Sequence, residues 1–312
     1  MSQPPRHFLD LWRIEAATLR AILDDAHRRK AARQGWPTGK ADADAPGAGR
    51  TVGMIFELNS TRTRFSFDAA IRQLGGHSII ANASEMQIGR GEALEDTARA
   101  VSSMVDAVMI RAHRHEELER FAQASRVPVI NGLTDKSHPC QVMADLLTFE
   151  ETKGPVAGRT IAWVGDGNNV CSTYIQAAAK FGFRLNIACP AVYHPDLVDL
   201  ARASQAGAQI VMGDDPDEAV RGADCVVTDT WFSMGDVDVT ERMDAFEPYQ
   251  VDERLMGQAE ADAIFLHCLP AHRGEEVVDE VIDGPQSRVW DAAENRIHAQ
   301  KSILAWAFGK IG

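Results

Sequence analysis

From Thr51 onward, short apolar runs alternate with stretches of helical periodicity, and this alternation constrains the fold more than any other feature of the chain. Candidate strands lie at residues 52–56, 78–81, 107–110 and 127–130, then at 160–164, 184–188, 208–212, 225–228, 263–266 and 289–290. Helical patterns separate them, notably at 63–74, 92–104, 115–124 and 139–153. Such an order predicts an α/β fold of mostly parallel sheets with helices on both faces. At 312 residues the chain exceeds what one hydrophobic core comfortably fills, so two domains are expected, 1–150 and 151–312. A closing helix at about 295–312, apolar at Ile297, Ile303, Leu304, Trp306 and Phe308, is expected to pack back on the first domain. Ahead of the alternating region, Leu9 to Arg33 reads as an amphipathic helix. Gln34 to Arg50, rich in Gly, Ala, Pro and Asp, reads as a mobile surface loop.

In open α/β sheets, ligands bind beyond the carboxyl ends of the strands, so the residues at those ends matter most. After the first strand comes Ser60-Thr61-Arg62-Thr63-Arg64, followed by a helical pattern. Unpaired amides and the positive end of the helix dipole make such a turn a natural anion site, and forked arginines suit phosphate oxygens. A capped turn with two solvated arginines accounts for the same residues equally well. Arg111 follows the third strand; Asn131 and then His138-Pro139-Cys140-Gln141 follow the fourth. Singly, each has an ordinary structural reading; their arrival at one sheet edge favours an anion site. Ser84 to Gly91, after the second strand, forms a polar loop that includes Gln87 and is long enough to leave its own subunit.

In the second half, Val164 runs into Gly165-Asp166-Gly167-Asn168-Asn169, which lacks the third glycine of a dinucleotide fingerprint. Its asparagines suit a carboxylate or merely a left-handed turn. Asp229, opening the loop Asp229-Thr230-Trp231-Phe232-Ser233-Met234-Gly235, suits an ammonium group or an Asx-turn. Cys268 in His267-Cys268-Leu269-Pro270 lacks the partners of a thiol protease and is expected to be a buried structural thiol.

Composition narrows the partners. With 45 acidic against 32 basic side chains the net charge is -13, a surface that repels nucleic acid. The five cysteines are scattered without a CxxC pair, which argues against a zinc ribbon and fits a reduced, cytoplasmic protein. No apolar run approaches the roughly 20 residues of a membrane helix, and no signal or transit peptide is evident.

Taken in order, Ser60–Arg64, His138–Gln141, Asp229–Trp231 with Ser233–Gly235, and His267–Pro270 resemble the signatures of ornithine carbamoyltransferases, over about residue 50 to the C-terminus. That resemblance implies transfer of a carbamoyl group from carbamoyl phosphate to the δ-amine of L-ornithine, giving citrulline, with no metal or organic cofactor. It further implies that Ser60, Thr61, Arg62 and Thr63 hold phosphate and that Arg111, His138 and Gln141 hold the carbamoyl group. Gln87 would enter from a neighbouring subunit of a homotrimer. Asn169, Asp229, Ser233 and Met234 would bind ornithine, the Ser-Met-Gly loop closing over it. Cys268, Leu269 and Arg296 would complete the site, Cys268 near the reacting amine, with Arg111, His138 and Cys268 as the catalytic set. Arg64 is expected to brace the motif. Leu58-Asn59 stands where the family usually has a lysine after the glutamate. Acetylated or succinylated ornithine, putrescine and aspartate remain alternative acceptors, and a non-catalytic anion-binding protein is the alternative of a different class.

Overall fold

The computed structural model describes residues 4–87, 91–232 and 239–311. The chain divides into two compact units: Met1–Leu147 with Glu294–Gly312, and Thr148–Ala293. Each holds one sheet.

In the first unit, β1 (Thr51–Phe56), β2 (His77–Asn82), β3 (Ala107–Arg111) and β4 (Val129–Leu133) form a four-stranded sheet in the order β2-β1-β3-β4. All pairings are parallel. Val52, Met54, Val108 and Met109 are buried, as befits central strands covered by helices on both faces. The connecting helices are α2 (Thr61–Gln73), α3 (Leu94–Val101) and α4 (His115–Ala124). Because β2 and β3 flank β1 on opposite sides, the switch point lies between β1 and β3, and register places Phe56 beside Arg111 there.

In the second unit, β5 (Thr160–Val164), β6 (Arg184–Ala188), β7 (Ile210–Gly213), β8 (Cys225–Thr228) and β9 (Ile264–His267) pair in parallel in the order β7-β6-β5-β8-β9. Its switch point falls between β5 and β8, and β9 lies next to β8 with His267 opposite Thr228. Helices α6 (Asn169–Phe181), α7 (Leu197–Gln205), α8 (Pro216–Val220), α9 (Val239–Phe246), α10 (Glu253–Met256) and α11 (Asp279–Ile282) connect the strands. The unit boundaries fall within two helices, α5 (Pro139–Lys153) and α12 (Val289–Ala307).

Four expectations are corrected. Residues 289–290 are not a strand but open α12. The extended pairing lies just before them, where Ser287 bridges Phe265 and Arg288 N–H donates to Phe265 O, so the strand-like apolar signal belongs to the helix start. The first helix, α1, is shorter than Leu9–Arg33 and spans Ala16–Ala31. Ahead of it, Phe8 is buried as a bridge to Ile130 beside β4, its N–H donating to Val129 O and its O accepting from Asn131 N–H, so the chain enters α1 from an extended segment. Asn131 lies within β4 rather than beyond it, fully buried, its amide donating to Leu9 O and Ser137 O.

The Gly/Ala/Pro-rich segment is not a mobile loop but is fastened by buried charge. Asp42 accepts from Arg29 Nη1 at 3.1 Å, Arg33 Nη1 at 2.6 Å and Lys301 Nζ at 3.1 Å, and all four side chains are buried. Asp25 accepts from Arg29 Nε and from Ser302 Oγ, joining α1 to α12 in the same cluster. Composition suggested looseness; three cations around one buried carboxylate impose order.

Candidate active site

The turn after β1 begins with Ser60, the N-cap of α2, whose hydroxyl accepts from Thr63 N–H at 3.1 Å. Capping settles one of the orphan amides of that helix end and orients the next residues. Thr61 is exposed and Arg62 half-buried, while Thr63 is fully buried. Arg64 turns away: its guanidinium donates to Asn82 Oδ1 at 2.8 Å and lies 5.0 Å from the Phe56 ring centre.

Arg296, on α12 and almost fully buried, donates through Nη2 to Thr63 Oγ1 at 2.7 Å and through Nη1 to Gln141 Oε1 at 2.9 Å. Gln141 passes the constraint on, its Nε2 donating to the buried carboxylate of Asp145 at 2.9 Å. His138 stands just before α5, buried. Burial, then the cations of Arg296, Arg111 and Arg62, hold its pKa well below 6.5. Its imidazole is therefore neutral at physiological pH, able to offer one donor and one acceptor. Three guanidinium charges thus act on one histidine, in an otherwise acidic chain.

The second unit centres on Asp229, at the end of β8. Its Oδ2 accepts from Asn168 Nδ2 at 2.8 Å; its Oδ1 accepts from Thr230 N–H at 2.8 Å and from the Cys268 thiol at 2.9 Å. Asn168 is the N-cap of α6 and also accepts from Val170 and Cys171 N–H. The preceding turn needs glycine twice. Gly165 has φ +124°, and a Cβ on Gly167 would lie 2.3 Å from Pro195 N.

Cys268 and Leu269 are positioned from behind. His267 Nδ1 accepts from Leu269 N–H at 2.8 Å, which places the ring proton on Nε2, toward Glu276 Oε1 at 3.1 Å. Glu276 is fully buried and also accepts from His272 N–H. Leu269 has φ +57° and precedes a cis proline. Among the described residues, Asp229, His267 and Cys268 form one group whose ligand atoms lie within 4.8 Å of one another, and His272, Glu275 and Glu276 form another. These are where a metal ion would find donors; in the first, the hydrogen bonds above already engage every member.

Residues 6–151 match the carbamoyl-P binding domain of aspartate/ornithine carbamoyltransferases, and residues 157–307 match the Asp/Orn binding domain. The chain belongs to that family. The ornithine carbamoyltransferase of Caulobacter vibrioides is 69% identical over 308 residues, 99% of each chain. The solved ornithine carbamoyltransferase of Pyrococcus furiosus superposes with a TM-score of 0.92 at 43% identity, covering all of both chains. That of Burkholderia thailandensis gives 0.88 at 44% identity, over 98% of this chain and all of the other.

Within this carbamoyltransferase, Ser60, Arg62, Thr63, Arg111, His138, Gln141 and Arg296 belong to the first unit, where hydrogen bonds or mutual electrostatics link them. Gln87, past the end of β2, is exposed. In the second unit, Asp229, Cys268 and Leu269 converge through the contacts given above. Asn169, the first residue of α6, is half-buried beside Asn168. Ser233, Met234 and the closing loop lie outside the described residues. Cys268 is a correction to the buried-thiol reading: it is partly exposed and aims at a carboxylate. Sequence reasoning read both asparagines of this turn as suited to a carboxylate or a turn but assigned only Asn169 to the site, although an asparagine at a helix start is a cap signal. It also passed over Asp145 and Glu276, whose burial no local pattern marks.

Proposed function

We propose that this carbamoyltransferase transfers the carbamoyl group of carbamoyl phosphate to the δ-amine of L-ornithine, releasing L-citrulline and phosphate. The observation that carries the choice of acceptor is the carboxylate of Asp229, buried among donors in the domain that matches the Asp/Orn binding model. A carboxylate there suits the α-ammonium of ornithine. Aspartate as acceptor would call for cations in its place. An acylated α-amine would leave Asp229 without an ionic partner.

Ser60, Thr61, Arg62 and Thr63 are assigned to the phosphate of carbamoyl phosphate, with Arg111 shared between phosphate and carbamoyl oxygen. Arg296, braced by Gln141, holds Thr63, and the two complete the carbamoyl side. His138, neutral for the reasons above, offers a hydrogen bond to the carbamoyl group without requiring proton uptake. The neutral δ-amine attacks the carbonyl carbon, the C–O bond to phosphate breaks, and the amine loses a proton. Negative charge grows on the carbonyl and bridging oxygens, and fixed guanidinium donors stabilise that charge more than the ground state. Phosphate is already a good leaving group, so no metal or organic cofactor enters the proposal. Cys268, held to Asp229, is assigned a place near the reacting amine. Asn169, Ser233 and Met234 are assigned to the amino-acid end of ornithine.

Homotrimeric assembly, with Gln87 contributed by a neighbour, forms part of the proposal. Supporting it, Ile79 on edge strand β2 keeps 54% exposure and Phe65 on α2 keeps 72%, an apolar edge that assembly would cover. A cytoplasmic, arginine-forming role is proposed alongside. No helix among the described residues is long and apolar enough to cross a membrane.

The deciding experiment measures carbamoyl transfer from carbamoyl phosphate to ornithine, N-acetylornithine and putrescine in parallel. Turnover confined to ornithine is expected; turnover confined to another amine would refute the acceptor assignment, and none with any amine would refute the enzyme reading.

A further inference from the structure

One guanidinium ties together the two turns that carry Asn168 and Asp229. Arg242, on α9, donates through Nη2 to Asp166 Oδ2 at 2.6 Å and through Nε to the backbone oxygen of Trp231 at 2.8 Å. Asp166 stands two residues before Asn168, and Trp231 two residues after Asp229. The pair is shielded from water, each side chain keeping 13% exposure. The guanidinium carbon lies 4.4 Å from the Tyr193 ring centre and 5.2 Å from that of Phe246. Phe246 stacks on Trp231, and Tyr193 O accepts from Gly167 N–H, so the two rings against which Arg242 packs are fastened to the same two turns.

The arrangement needs arginine. Its planar fork sends donors in two directions at once and stacks on aromatic faces, whereas lysine serves as a single point charge. Shielding strengthens the ion pair and makes loss of either partner costly. We propose that Arg242 is a positioning residue for acceptor binding: it fixes the spacing of the turns after β5 and β8, so that Asn168 stays on Asp229 and Asp229 meets the amino-acid substrate in one orientation. It acts through Asp166 and Trp231, not on the reacting atoms, and the inference rests on ornithine being the acceptor.

The test uses the full chain with Arg242→Gln, Arg242→Lys, Asp166→Asn and the double variant Arg242→Gln/Asp166→Asn. Ornithine and carbamoyl phosphate are varied separately, and each variant is melted. Arg242→Gln and Asp166→Asn are expected to raise the ornithine KM on the order of tenfold, by the scale of a lost charged hydrogen bond, with the carbamoyl phosphate KM unmoved. The double variant should be no worse than the worse single one, because both break one link. Arg242→Lys should fall between wild type and Gln, and it carries the comparison if the Gln variant does not fold. An unmoved ornithine KM, a parallel rise in both KM values tracking the melting temperature, or additive effects in the double variant would each overturn the proposal. A wild-type chain that forms no citrulline from ornithine would overturn the functional reading and this inference together.

Discussion

Arg296 Nη2 lies 2.7 Å from Thr63 Oγ1, joining residues 233 positions apart in the chain. The helix that ends the chain thereby sets the orientation of a hydroxyl in the first phosphate-binding turn, and the other arm of the same guanidinium fixes Gln141.

Replacing Arg296 by Met should remove two charge-assisted hydrogen bonds, each worth about 1.5–3 kcal/mol. The carbamoyl phosphate KM should rise and urea stability should fall, with ornithine affinity less affected. Arg62→Ala should cost several kcal/mol of transition-state stabilisation, by the scale of lost oxyanion donors. Near-normal turnover in Arg62→Ala would remove the turn from the active site.

Asn168 and Asn169 should separate cleanly. Asn168→Ala loses an N-cap, costing about 1 kcal/mol, and strips Asp229 of its Oδ2 donor. Both the urea midpoint and the ornithine KM should move. Asn169→Ala, outside the cap, should raise the ornithine KM with the midpoint unchanged. Asn168→Asp should recover the cap but not the KM, because it sets a second carboxylate beside Asp229.

Histidines that burial keeps from protonation steepen the acid side of the stability curve, His138 and His298 among them. His138 is held well below 6.5, and His298 is pushed down to about 3, in both cases chiefly by burial. Below pH 6.5 the unfolded chain takes up protons that the folded chain refuses, so folding loses stability as pH falls. The slope is about 1.4 kcal/mol per pH unit for each histidine. Urea unfolding followed downward from pH 6.5 should show this loss, and His298→Phe should lower the slope by one histidine's share. The lowered carboxylates, such as Asp10 and Asp68, contribute only as pH falls toward and below 3.8, beneath that window. In activity profiles, His138→Gln should lower the plateau without shifting the acid limb, which belongs to deprotonation of the substrate amine.

The charge cluster around Asp42 should be a large stability element. Asp42→Asn leaves Arg29, Arg33 and Lys301 buried around a neutral group, with an expected loss of about 3–5 kcal/mol. Asp44→Asn, at a half-exposed partner of Arg29, should cost about 1 kcal/mol or less. Equal urea midpoints for the two variants would show that the segment is not held by this cluster.

The sequence by itself determined the α/β class, the strand order along the chain and the turns that carry Ser60, Asp229 and Cys268, because these follow from local periodicity and turn chemistry. It placed His115–Ala124 and Pro139–Lys153 as helices to the residue. Tertiary structure alone decided which groups meet. Only folding brings Arg296 to Thr63, buries Glu276 behind His267, sets Asn168 on Asp229, and turns a Gly/Pro-rich stretch into a fixed segment around Asp42. The reason is physical: backbone preferences act over a few residues, whereas hydrogen bonds between buried polar groups depend on distance and desolvation, which the linear order of residues does not specify.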